Sequence, residues 1–194
     1  MIAYLIDNNV YINLTNKCSN DCTFCVRNTS DRYSEFSLWL KKEPTSEEII
    51  SALNPYLDKY DNYVFCGYGE PLYRLNEIIT VADFLKNKGK NIRLNTNGQA
   101  SLIVGEGVAE KLKNRVDTVS ISLNAHNAKA YNELCNCIFG EKGFASLLEF
   151  ANDCKVNGIN VVFSIVDNGE VNIEEAKKVA DNLNIPLRIR ELIK

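Results

Sequence analysis

The run Asn13-Leu-Thr-Asn-Lys-Cys18-Ser-Asn-Asp-Cys22-Thr-Phe-Cys25 carries three cysteines at a C-x3-C-x2-C spacing, directly behind a β-like run, Val10-Tyr-Ile-Asn-Leu14. Loop thiolates this close together can hold three corners of one cubic iron–sulfur cluster. Such a cluster has four irons, so three ligands leave one iron open. A structural zinc site closes its shell with four protein ligands. No fourth cysteine or histidine lies nearby: the next cysteine is Cys66, and the only histidine is His126. Three thiolates without a fourth ligand are the pattern of a cluster that binds something at its open iron.

Working outward, the 194 residues suit a single domain spanning 1–194. The net charge of −3 and acidic pI near 5.3 argue against an electrostatic nucleic-acid footprint, which needs clustered Lys and Arg. Met1-Ile-Ala-Tyr-Leu-Ile6 is followed at once by Asp7, so no export signal is read. No apolar run reaches the ~18 residues that would span a bilayer. Seven cysteines without an export signal read as reduced thiols and cluster ligands in a cytoplasmic protein, with no membrane partner.

Ile2–Ile6 and Val10–Leu14 are apolar runs split by Asp7-Asn-Asn9, a turn sequence, which predicts a short N-terminal hairpin. Residues 26–44 are polar with an aromatic end, long for a connection, and read either as a surface loop anchored by Trp39 or as a lid over the cluster, with Arg27 contacting a bound ligand or an electron donor. Then elements alternate. Helices are expected over 45–60, 75–88, 108–113, 128–134, 144–157 and 173–182. Strands are expected over 63–67, 91–95, 118–123, 160–166 and 187–192. With Val10–Leu14 this makes six strands, an α/β chain with a parallel sheet, either doubly wound or a partial barrel.

Ligands of parallel α/β sheets bind at the carboxyl ends of strands. There the sequence reads Cys66-Gly67-Tyr-Gly69-Glu70-Pro71, whose glycines allow close backbone approach and whose glutamate can accept from an ammonium. It next reads Leu94-Asn95-Thr96-Asn97-Gly98. Period-two alternation puts Ser120, Ser122 and Asn124 on one face. Ser164 interrupts an apolar strand that ends at Asp167. Arg188 and Arg190 alternate with Leu187 and Ile189; if the apolar side faces helices, the arginines face inward, where they need an anionic partner. Cys135 and Cys137 form a C-x-C pair with no other ligand close by, and Cys66 and Cys154 read as buried small side chains.

The cysteine run, with Phe24 before its last thiol, resembles the cluster motif of the radical S-adenosylmethionine (SAM) enzymes. The resemblance implies a six-stranded partial (β/α)6 TIM-like barrel. It implies a [4Fe-4S] cluster on Cys18, Cys22 and Cys25 and SAM on the open iron. Its activity would be reductive cleavage of SAM to methionine and a deoxyadenosyl radical that abstracts hydrogen from a substrate. Gly67, Gly69, Glu70 and Pro71 are similar to the motif that binds SAM's amino group. Thr96 opens, and Asn95 precedes, a Thr-Asn-Gly segment like that seen in many members, including glycyl-radical activating enzymes, with Asn95 where some of those carry an Asp that binds a cation; no cation is expected here. Ser122 and Asn124 are similar to the ribose-binding strand, and Ser164, Arg188 and Arg190 are further candidates for SAM or substrate. In Asn13-Leu-Thr-Asn-Lys-Cys18, Phe24-Cys-Val-Arg-Asn28, Leu38-Trp-Leu40 with Glu43-Pro44, and Leu134-Cys135 with Phe139-Gly140, the chain shows a further resemblance to the small members associated with TatD-family hydrolases. It implies a flavodoxin or ferredoxin as electron donor, a substrate or partner protein closing the open barrel, and a functional link to a TatD-family hydrolase. Ending at the sixth strand, the chain is expected to lack a domain for auxiliary clusters. The rival readings are an activase acting on a partner protein, a small-molecule enzyme with an anionic substrate, and a non-catalytic iron–sulfur or zinc module.

Overall fold

The computed structural model describes residues 1–29 and 37–192. Part of the 26–44 segment, residues 30–36, therefore lies outside the described residues. The N-terminal hairpin forms as its turn chemistry implies: β1 (Ala3–Ile6) pairs antiparallel with β2 (Asn9–Ile12). Asp7 takes the left-handed conformation (φ 51°) that short polar side chains tolerate. Five further strands follow: β3 (Asn62–Phe65), β4 (Asn91–Thr96), β5 (Thr118–Ser122), β6 (Asn160–Asp167) and β7 (Leu187–Glu191). They lie in one sheet in chain order, and β2 to β7 are all parallel. The sheet is open, with β1 and β7 as its edges. This is the six-stranded partial barrel, with the hairpin strand added at one edge.

The helices are α1 (Val26–Thr29), α2 (Ser46–Leu53), α3 (Leu75–Lys86), α4 (Ala100–Ile103), α5 (Val108–Leu112), α6 (Ala128–Cys135), α7 (Lys142–Val156) and α8 (Ile173–Asn182). Thr45 and Glu48 close a capping box at the start of α2. That helix stops well before Tyr60. Pro55 cannot continue an α-helical ladder, and Asn54–Tyr56 turn as a 3-10 segment instead. Helices α1 and α4 are single turns with too few residues to leave a periodic signal.

Register divides the sheet into two faces. Ile12, Phe65, Leu94, Val119 and Val161 are neighbours across successive strands, and all belong to one core with Leu53, Ile78, Leu85, Leu147 and Phe150 of the helices. The opposite, concave face carries Tyr11, Val64, Arg93 and Thr118 in one row. Ser122, Ser164 and Arg188 lie in another, nearer the carboxyl ends, and Arg190 is paired with Val166. The two arginines thus share the concave face, as the alternation implies, though Ile189 opposite them is 47% exposed and not covered by a helix. Among the described residues, no helix is long and apolar enough to cross a membrane.

Candidate active site

The loop that follows β2 is held from three sides. Asn13 is fully buried and its amide donates to the carbonyl oxygens of Met1 (3.2 Å) and Leu38 (2.6 Å). Asn16 exchanges two hydrogen bonds with the Leu40 backbone. Trp39 stacks edge-on with Tyr68 at 5.2 Å. The described end of the 26–44 segment is therefore a strap docked on the cluster loop. Arg27, read as facing a ligand, instead binds the loop itself, through the carbonyls of Asn16 and Asn20 and the Asp21 carboxylate.

Cys18, Cys22 and Cys25 all lie half-buried on this loop. Burial pushes the Cys18 thiol up to about 12 and raises Cys25 as well. Cys22 is raised by a hydrogen bond with the thiol of Cys135 and then by burial. All three are neutral thiols in the metal-free protein, and ligation must release their protons. Among the described residues no three Cys, His, Asp or Glu side chains gather around an ion-sized point.

The Cys66–Pro71 loop lies directly against the cluster loop. Gly69 and Glu70 donate backbone hydrogen bonds to the carbonyls of Thr15 (3.0 Å) and Lys17 (2.8 Å). A Cβ on Gly67 would sit 1.9 Å from Asn13 Oδ1, and one on Gly69 would sit 2.4 Å from the Thr15 carbonyl oxygen. Glu70 is buried and accepts from the Leu72 N–H, the Thr96 hydroxyl and the Asn97 N–H at 2.9, 2.7 and 2.6 Å. Burial pushes its carboxyl up to about 7 against these hydrogen bonds. A carboxylate offers about four lone-pair sites, so one remains for an incoming donor. Pro71 opens the 3-10 turn Pro71–Arg74 that Glu70 caps.

At the end of β4, Thr96 is buried and is tied to Glu70. Asn95 Oδ1 and Arg93 Nε are buried without a hydrogen-bond partner, while the Asn95 amide reaches the Cys66 thiol. Cys66, read as an inert core side chain, is half-buried on the concave face instead. Cys154 is buried in α7 as expected. Beyond β5, Asn124 is buried in the left-handed conformation (φ 57°) with Oδ1 unpartnered. Ser122 is paired in register with the buried Ser164, and Ser164 with the exposed Arg188. Phe24 is half-buried on the cluster loop. His126 lines a cavity of about 220 Å³ with Thr23, Ala125, Leu134 and Glu170, at the rim outside the sheet.

One part of the site has no counterpart in the sequence reading. Gln99 lies fully buried behind the cluster loop, accepting from the Ser19 hydroxyl and donating to Asn20 Oδ1, the Tyr131 hydroxyl and Cys137 Sγ. Asn97 donates to Ser19 Oγ at 2.8 Å. These partners lie 32 to 80 residues from Gln99 or Asn97, and nothing in the local pattern links them.

At the carboxyl end of the partial barrel lie three half-buried thiols on one loop, two glycines packed against that loop or the residue before it, and two buried amide oxygens without a partner, one on β4 and one just beyond β5. The chain belongs to the radical SAM superfamily, whose family model matches residues 12–183. As a member it is an enzyme that uses a [4Fe-4S] cluster and SAM. It is 28% identical over 145 residues to a Methanocaldococcus jannaschii protein named as a glycyl-radical enzyme activating enzyme, covering 74% of this chain and 55% of that one. It is 29% identical over 124 residues to a protein of the same organism named as a GTP 3',8-cyclase, covering 63% and 38%. The chain thus spans about half or less of the length of these curated relatives. Among solved structures, native anSMEcpe with bound AdoMet superposes with a TM-score of 0.72 at 17% identity, over 95% of this chain and 51% of that one. A radical SAM methyltransferase from Sphaerobacter thermophilus gives 0.64 at 14% identity, over 97% and 68%. Both likenesses concern the fold.

Proposed function

We propose that Cys18, Cys22 and Cys25 hold the [4Fe-4S] cluster and that SAM binds between this loop and the carboxyl ends of β3 to β6. The observation that carries the reading is the set of three thiols with no fourth ligand on a loop stitched to the Gly67–Pro71 turn. When bound, the two cofactors supply reductive cleavage of SAM to methionine and a deoxyadenosyl radical that takes hydrogen from a substrate.

The chain's own residues divide the binding. The free lone-pair site of Glu70 and the carbonyls of the Gly67–Pro71 turn take SAM's ammonium. Asn95 Oδ1 and Asn124 Oδ1, both unpartnered, and Ser122 accept from or donate to ribose hydroxyls. Phe24 packs beside the adenosyl group. Ser164, Arg188 and Arg190 face the rest of the concavity. With Arg93 they make a concave face of three arginines, which supports a small substrate with an anionic group. A relative named as a GTP 3',8-cyclase is in keeping with that. An activase acting on a loop of a partner protein is supported by the likeness to a relative named as an activating enzyme and by the open sheet. The short motifs favour the small TatD-associated members, with a flavodoxin or ferredoxin as donor and a link to a TatD-family hydrolase.

The test is anaerobic reconstitution, then reduction with SAM present and quantitation of deoxyadenosine, beside Cys22→Ala. Deoxyadenosine from the native chain and none from the variant is the expected result. Zinc without a cluster, or a full reducible cluster that binds SAM and never cleaves it with any reductant or candidate substrate, overturns the reading.

A further inference from the structure

A second polar cavity lies at the amino ends of the strands, away from the cluster loop. It has a volume of about 200 Å³ and is lined by Asn9, Asn62, Asn91, Arg93, Asp117 and Thr118. Asn9, Asn62 and Asn91 are register neighbours on β2, β3 and β4. They stand two residues before Tyr11, Val64 and Arg93, so period two puts them on the same concave face. Three carboxamides therefore edge the amino-end mouth of the barrel, and Arg93 and Thr118 are neighbours in the next row.

Arg93 is half-buried there. Its Nη2 donates to the Tyr11 hydroxyl at 3.3 Å, and its Nε is buried without a partner. Among the described residues it pairs with no carboxylate. The acids at this end of the sheet are held by other groups. Lys86 Nζ lies 2.6 Å from both oxygens of Asp117, the Ile92 N–H donates to one of them at 2.7 Å, and Lys90 holds Asp61 at 2.9 Å. Taking a charged group out of water costs free energy unless an opposite charge and hydrogen bonds compensate it. One bond to a neutral hydroxyl does not balance the guanidinium, so the cavity carries an uncompensated positive charge.

A guanidinium presents a planar fork that matches the oxygens of a carboxylate or a phosphate. The Asn91 amide reaches Asn62 Oδ1 at 3.4 Å, which leaves the amide donors of Asn9 and Asn62 and the Thr118 hydroxyl for a ligand. A carboxylate has two oxygens and would leave part of that donor set unused; a phosphate group can engage all of it. The volume is below the ~300–1,000 Å³ of pockets that take drug-sized ligands, so the cavity suits a single small group.

We propose that this cavity binds a phosphate group, with Arg93 as its cationic anchor and the side chains of Asn9, Asn62 and Thr118 as further donors. The inference deepens the reading of an anionic substrate, on which it rests for any part in the reaction; the binding itself needs neither cluster nor SAM.

The test is calorimetric titration of the full chain with inorganic phosphate, with and without the reconstituted cluster, at an ionic strength held constant with chloride. Saturable binding of one phosphate per chain is the expected result. Arg93→Gln removes the fork and should weaken binding roughly tenfold or more. Asn62→Asp alters an exposed position, leaves Arg93 in place and adds a negative charge at the mouth. It should weaken binding as well, and it decides the matter if Arg93→Gln does not fold. Lys113→Gln, at an exposed lysine ending α5, should bind as the native chain does. Methyl phosphate that competes marks a site for the phosphate end of a longer ligand, and methyl phosphate that is excluded marks one for the free ion. Absence of saturable binding overturns the proposal, as does native affinity in Arg93→Gln or an equal loss in Asn62→Asp and Lys113→Gln. A chain that binds phosphate and takes up no cluster overturns the cluster assignment and leaves this site standing.

Discussion

Replacing Gly69 by alanine puts a methyl group where two loops meet. The added Cβ would lie 2.4 Å from the Thr15 carbonyl oxygen and 2.6 Å from that of Lys17. Both are backbone atoms of the cluster loop, so no side chain can swing aside. Restoring ordinary contact moves the loops apart by about 1 Å, which breaks the Gly69-to-Thr15 and Glu70-to-Lys17 hydrogen bonds. Two such bonds at ~1 kcal/mol each, with ~1–3 kcal/mol for overpacking, give roughly 3–5 kcal/mol. That is a large part of the 5–15 kcal/mol typical of a domain. The chain is expected to fold with a lowered urea midpoint and to lose SAM binding, because the turn that would face SAM's ammonium is displaced. Gly89→Ala is the control. Gly89 has a left-handed φ of +71° with nothing within 4 Å of an added Cβ, so it costs only roughly 1–2 kcal/mol and leaves the site intact. Equilibrium unfolding and calorimetric SAM titration of reconstituted protein measure both effects. Gly69→Ala protein that binds SAM with native affinity would refute the claim that this glycine sets the approach of the two loops.

Other outcomes follow from the same geometry. Glu70 is raised from 4.5 to about 7 by burial, so between those values the folded protein holds a proton that the unfolded chain has released. Its contribution is full below the unfolded value and is lost as pH rises through about 7, ~3 kcal/mol in all at 1.36 kcal/mol per pH unit. Urea midpoints of metal-free protein should fall between pH 5 and 8, and Glu70→Gln should flatten that slope. Tyr131→Phe removes the acceptor shared by the Asn20 and Gln99 amides. Gln99 keeps Asn20 Oδ1 and Cys137 Sγ as acceptors, and the stranded Asn20 amide costs ~1–3 kcal/mol, a drop in melting temperature of roughly 2–12 °C for a chain of this size. Iron uptake on reconstitution should be slower as well, and an unchanged melting temperature would count against the network's role.

The strands were legible because each carries its signal locally. Alternation in Val119-Ser-Ile-Ser122 and the apolar row through Phe65, Leu94 and Val161 place both faces of the sheet without tertiary information. Helix ends were legible where a residue punctuates them, as at Thr45 or Gly158, and were misjudged where Pro55 acted inside a periodic run. The cysteine motif was local too. Its supports were not. Glu70 could be read as an acceptor, but not as one already holding Thr96 and Asn97, because that depends on how β3 and β4 end side by side. Arg27 read as a contact for a ligand or electron donor because the carbonyls it binds, those of Asn16 and Asn20, turn toward it only in the folded loop. Gln99 reads as an ordinary polar residue after a turn, and its full burial follows from neighbours supplied by the cluster loop and by α6.

That dependence bears on the order in which a growing chain can be completed. The cysteine motif is made early, yet Asn20 finds Tyr131 and Thr23 finds Leu134 only 111 residues later in the chain. At synthesis rates of about 5–20 residues per second, the loop waits roughly 6–22 s for the segment that clamps it. Until then its thiols are exposed and mobile, and any iron they take up is bound without the surrounding polar frame. Delivery of the cluster to a finished chain therefore meets a preformed loop, whereas delivery to a nascent one does not.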